Sequence, residues 1–122
     1  MKTISTQNAP AAIGPYSQGK IVGELVFVSG QIPVDPASGT VAEGIAAQAE
    51  QSCKNVAAVL EAAGSSMEKV VKTTCFVADM GDFAAFNAVY AKYFVSNPAR
   101  SCVAVRTLPK GLLCEIEAVA AL

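Results

Sequence analysis

The chain is 122 residues long, with nine Lys or Arg against ten Asp or Glu, a formal net charge of −1 and no histidine. That length predicts one domain, residues 1–122, with a core of its own. The balanced charge argues against a nucleic-acid binder, which shows a basic stripe, and the missing histidine removes Ser-His-Asp and Cys-His catalysis along with the commonest metal ligand.

Met1 to Pro10 is polar and lacks the apolar run of a secretory signal. No segment approaches the roughly 20 apolar residues of a bilayer-spanning helix. A soluble, cytoplasmic chain with no membrane partner is expected. Lys20–Val22 and Leu25–Gln31 flank Gly23-Glu24, a two-residue connection suited to a β-hairpin. Pro33 to Gly39 is turn-rich, and its prolines forbid a central strand. From Ile45 to Ala63 the apolar positions Ile45, Ala49, Cys53, Val56, Leu60 and Ala63 recur at intervals of four and three, which predicts an amphipathic helix closed by Gly64.

Val70 to Ala78, rich in Val and Thr, reads as a strand. Asp79 or Asp82 can cap a second helix that turns Phe83, Phe86, Tyr90, Tyr93 and Phe94 inward, and Asn97-Pro98 ends it. Arg100–Val105 is the next strand, Leu108–Gly111 a turn and Leu112–Ala120 the last strand. The predicted order is strand, strand, helix, strand, helix, strand, strand. It makes an α/β (α+β) fold with a mixed sheet, parallel where a helix bridges two strands.

Two helices cover only one face of such a sheet. Val70-Val71, Phe76-Val77 and Leu112-Leu113 nevertheless place apolar side chains on both faces. Apolar residues are 52% of the chain, against about 45–50%, glycine included, in an average protein. Both observations predict that another copy of the chain covers the second face.

Few groups can carry chemistry. The thiols Cys53, Cys75, Cys102 and Cys114 have no C-x-x-C spacing and read as small reduced core residues, with Cys102 set apart by its place two residues after Arg100. No metal is expected of them. Arg100 is a permanent charge among small apolar neighbours and requires an anion. Glu115, Glu117 or an acidic residue of another subunit could supply it, or a ligand carboxylate gripped by two hydrogen bonds.

Glu115 and Glu117 share one face of the last strand, where acidic residues are poor formers. They mark either a solvated edge or a carboxylate with a raised pKa that exchanges protons with water. Ser29-Gly30 offers a hydroxyl and a backbone N–H open to close approach. Tyr16 follows a Gly-Pro turn, and Asn87 interrupts an apolar helix face where its amide must find a partner.

Ala9-Pro10-Ala11-Ala12-Ile13-Gly14-Pro15-Tyr16-Ser17-Gln18, Ser29-Gly30-Gln31-Ile32-Pro33, Val71-Lys72-Thr73-Thr74, Asn87-Ala88-Val89-Tyr90, Pro98-Ala99-Arg100-Ser101-Cys102 and Glu115-Ile116-Glu117-Ala118 resemble, in order, the signatures of the Rid (YjgF) family. The resemblance is strongest to its RidA subgroup of imine deaminases. It implies a chorismate-mutase-like fold, two helices on one sheet face, and a homotrimer whose sheets pack toward the centre with a cleft at each interface. It implies hydrolysis of reactive 2-imino acids, formed from 2-aminoacrylate or 2-aminocrotonate, to 2-oxo acids and ammonia, with no cofactor. Arg100 matches the family's carboxylate-binding arginine and Glu115 its water-handling acid. Tyr16, Ser29, Gly30, Asn87 and Cys102 match its other cleft positions. Two further functions attach to this resemblance: a trimer that binds 2-oxo acids without turnover, and an endoribonuclease or translation inhibitor.

Overall fold

In the computed structural model, which describes residues 1–122, six strands form one sheet in the order β1-β2-β3-β6-β4-β5. The strands are β1 (Lys2–Ile4), β2 (Gly19–Val22), β3 (Leu25–Gln31), β4 (Val70–Val77), β5 (Ala99–Ala104) and β6 (Cys114–Ala121), with helices α1 (Ile45–Ala62) and α2 (Phe83–Tyr93).

The hairpin falls where the sequence places it: β2 and β3 pair antiparallel, Val22 opposite Leu25. Gly23 turns there with φ +56°, and Glu24 is not in the left-handed region. A positive φ at the first central residue alone is the pattern of a type II′ turn, whose twist suits the flanking strands. Helix α1 buries Ala49, Cys53, Val56 and Leu60, and also Val59. Gly64, at φ +82°, closes it by donating to the Glu61 carbonyl while Ser65 N–H reaches that of Leu60. Those two bonds make a Schellman cap.

Parallel pairing occurs as predicted across α2, β4 against β5 with Cys75 opposite Cys102. Across α1 the two strands do not touch. The final strand β6 lies between β3 and β4, antiparallel to both.

Three readings need correction. The sequence order lacks β1, a three-residue strand that contributes only Ile4 to the core and so shows no periodicity. The last strand starts at Cys114, not Leu112, because the Leu113 N–H donates to Gln48 Oε1 of α1, 2.9 Å away, instead of to a strand. Asp79 caps not α2 but the single turn before it, its Oδ1 accepting from Gly81 N–H at 2.8 Å.

Burial alternates along the central strands. Val26, Val28, Thr73, Cys75, Val77, Cys114, Ile116, Ala118 and Ala120 are sealed beneath the helices with Phe86, Tyr90 and Phe94. The opposite face carries Leu25, Phe27, Phe76, Val103 and Val119 without helix cover. Phe27 and Val103 are 44% and 45% exposed. No helix is long and apolar enough to cross a membrane.

Candidate active site

Arg100 sits on β5, an edge strand, opposite Thr73 of β4 and on the helix-covered side of the sheet. Its Nη1 donates to Oδ1 of Asn87 at 2.7 Å, and its Cζ lies 4.6 Å from the ring centroid of Tyr90. The partner is a neutral amide, so the guanidinium keeps its full charge. With Asn97 and Pro98 these residues border an open recess of about 390 Å³. The Asn87 amide thus finds its partner in Arg100, which explains a polar residue on that helix face.

Glu115 lies on the other face. It is opposite Phe76 on β4, one residue out of phase with the buried Cys75. It borders a recess of about 500 Å³ with Tyr16, Ser29, Gly30 and Glu117. Gly30 sets the position of the carboxylate: a Cβ built there would stand 2.0 Å from Glu115 Oε2. Burial, and secondarily the charge of Glu117, raise the Glu115 pKa above the usual carboxylate value. A carboxyl held this way takes and returns protons nearer neutrality than an exposed one.

Tyr16 is exposed, its ring presented rather than packed, and its hydroxyl accepts from Ile13 N–H at 3.4 Å. Ser29 donates its hydroxyl to the Ser17 carbonyl, which ties the Tyr16 loop to β3.

The seven predicted site residues therefore fall into two groups. Tyr16, Ser29, Gly30 and Glu115 gather on the open face; Arg100, Asn87 and Cys102 share the helix-covered face at the sheet edge. Since Glu115 and Glu117 stand across the sheet from Arg100, neither of them supplies its anion within the chain. All four cysteines are free thiols, and Cys102 alone is partly exposed. Burial raises the Cys102 pKa and the Arg100 charge only opposes that, so it is a poor thiolate. Cys75 and Cys114 are pushed up to about 12 and about 11, chiefly by burial. No cluster of His, Cys, Asp or Glu is placed to hold a metal ion.

Sequence reasoning missed two groups. Ile32 and Pro109 complete the Glu115 recess. Gln18, buried, donates its amide to the carbonyls of Thr6, Ala9 and Pro10 and accepts from Thr6 N–H, which fastens the segment leading to Tyr16. A glutamine buried in a loop has no periodic signature to reveal it.

The family model described as "Endoribonuclease L-PSP" matches residues 6–122. A Salmonella typhimurium protein named 2-iminobutanoate/2-iminopropanoate deaminase is 57% identical over 98% of this chain and 96% of its own length. The Escherichia coli K12 protein of the same name is 54% identical over the same shares. Among solved structures, Escherichia coli TdcF with bound serine superposes with a TM-score of 0.96 at 47% identity, covering 100% of this chain and 99% of that one.

Proposed function

The chain belongs to the Rid (YjgF) family and its RidA subgroup, and from that premise we propose that it hydrolyses reactive 2-imino acids to 2-oxo acids and ammonia. The observation that carries the reading is the full-length identity to two proteins named for this reaction. The family model's endoribonuclease description finds no support in a chain of net charge −1 without histidine, since phosphate contacts govern nucleic-acid affinity.

The separation of the two residue groups shapes the mechanism. Arg100 and Glu115 of one chain face opposite sides of its sheet and cannot hold one small molecule. The site is therefore composite: the β5 edge of one copy, bearing Arg100, meets the Tyr16, Ser29, Gly30 and Glu115 recess of its neighbour. A homotrimer whose uncovered sheet faces pack toward the centre supplies that meeting three times, and it covers Phe27 and Val103. A protein of this kind, with four free thiols and no structural disulfide, suits the reducing cytoplasm.

In this arrangement Arg100 holds the substrate carboxylate through two parallel N–H···O bonds. The adjacent imine carbon is thereby fixed beside a water next to Glu115. As the water oxygen attacks C2, Glu115 accepts one of its protons and passes it to the imine nitrogen, giving a carbinolamine. Glu115 then takes the remaining hydroxyl proton as the C2–O double bond forms and delivers it to the nitrogen as the C2–N bond breaks and ammonia leaves. Orientation converts an encounter into a local step and is worth several kcal/mol, up to about 7–11 in well-aligned cases. Imines hydrolyse unaided in water, so a fraction of that suffices.

The test couples purified protein to a threonine dehydratase and follows release of 2-oxobutanoate. Acceleration is expected, with loss in Arg100→Ala and in Glu115→Ala. Retention of activity in Glu115→Ala with loss in Arg100→Ala would remove Glu115 from the chemistry. No acceleration, with 2-oxobutanoate still bound, would leave a binding protein.

A further inference from the structure

We infer that Tyr90 is a positioning residue for Arg100, its ring forming with Phe83 and Asn87 a cradle on α2 that fixes the guanidinium before substrate arrives. The inference rests on the reading above, in which Arg100 holds the substrate carboxylate.

Positions 83, 87, 90 and 94 fall on one stripe of an α-helix, and the structure uses all four. The Arg100 Cζ lies 4.6 Å from the Tyr90 ring centroid and 5.4 Å from that of Phe83, both within cation–π range. Asn87 takes one N–H of Nη1. Of the five N–H donors of a guanidinium this leaves four, enough for a forked grip on a carboxylate.

The ring is itself held from two sides. Its hydroxyl bonds Thr73 Oγ1 at 2.7 Å, and its face stacks on Phe94 at 4.3 Å with 20° between planes. Thr73 is the register partner of Arg100 in the parallel β4–β5 pair. The hydroxyl therefore anchors the ring to the residue beside the arginine it supports. Buried and doubly tethered, the ring cannot swing away.

The consequence is preorganisation. An arginine free in solvent surrenders rotamer freedom when it closes on a ligand, and a cradled one has already done so. A neutral amide and aromatic faces can do this without a carboxylate, which would compete with the substrate for the same fork. The Tyr90 ring also predicts that Arg100→Lys is a poor replacement, since an ammonium neither stacks as a plane nor forks.

The experiment measures the Kd of 2-oxobutanoate by calorimetry, with KM and kcat for the imine, in Tyr90→Leu and Tyr90→Phe, each with Arg100 and with Arg100→Ala. Tyr90→Leu should weaken Kd and raise KM about three- to tenfold, with kcat nearly unchanged. Tyr90→Phe, which keeps the ring, should restore both to within about twofold. In the Arg100→Ala background Tyr90→Leu should cost nothing more, since the arginine through which it acts is gone. An unchanged Kd in Tyr90→Leu, or an equal loss with and without Arg100, overturns the inference. Normal binding by Arg100→Ala alone overturns instead the reading on which it rests. Should Tyr90→Leu fail to fold, Phe83→Leu enters the same cycle. A loss of twofold or more confined to the Arg100 background supports the cradle, and no loss or an equal one refutes it.

Discussion

Gly30→Ala separates catalysis from stability in a way that few substitutions here can. The glycine is not in the left-handed region, so its backbone suits alanine. The new Cβ would lie 2.0 Å from Glu115 Oε2, 2.9 Å from Cδ and 3.2 Å from Cγ. Ordinary carbon–oxygen contact begins near 3.5 Å, so the carboxylate must retreat by roughly 1.5 Å. It is the end of a flexible side chain over an open recess, and it can move. The fold should therefore tolerate the methyl, with the unfolded chain losing enough freedom to leave stability unchanged or raised by about 0.4–1 kcal/mol. The chemistry should not tolerate it, because misplacing a reacting group by about 1 Å costs on the order of 100-fold in rate. In the dehydratase-coupled assay kcat should fall about 100-fold while the melting temperature holds. In a Glu115→Ala background the same methyl should add little, since the group it displaces is gone. A Gly30→Ala protein with wild-type kcat, or an equal further loss without Glu115, would show that the missing Cβ does not serve the carboxylate.

Two further outcomes follow from the same geometry. Glu117→Gln removes a negative neighbour that helps to raise the Glu115 pKa; the ionised base then persists to lower pH, and the acidic limb of the kcat/KM profile should move down in pH, whereas an upward shift or none would refute the coupling. Phe27→Asp places a charge on the uncovered apolar face, outside the helix-covered core, so sedimentation should show folded monomers in place of trimers, at a cost of about 2 kcal/mol or more per contact, and deamination should fall with assembly; a trimer that persists in the Phe27→Asp protein would show that this face is not the interface.

The parts of the fold legible in the sequence are those where period and punctuation agree. The interval pattern from Ile45 to Leu60 and the glycine at 64 fixed both the face and the end of α1, and the short Gly23-Glu24 connection left a hairpin as the only economical join. What escaped was short or non-periodic. Lys2–Ile4 holds one inward residue, and the Gln18 clamp acts through an amide that no pattern distinguishes from a surface glutamine. The insertion of β6 between β3 and β4 was hidden for another reason: strand order is decided by long-range pairing, while apolar alternation reports only which residues face inward. The site was legible by residue type, since Arg100 and Glu115 stand out among Val, Ala and Ile. Their placement across the sheet from each other required coordinates.

That placement joins the site to the surface. An arginine left at full charge on a sheet edge, and an acid whose pKa is raised on the far face, are each incomplete within one chain. The exposed apolar residues Phe27 and Val103 lie on the face that carries Glu115, and Val103 shares strand β5 with Arg100. In the composite arrangement proposed above, the contact between copies that buries those apolar residues is also the one that brings a β5 edge to a Glu115 recess. The hydrophobic surface that drives association and the polar groups that act on substrate are, on this reading, two aspects of one seam. Loss of assembly then costs catalysis without any change to Arg100 or Glu115 themselves, and activity measured on dilution should follow the population of oligomer, not the total chain concentration.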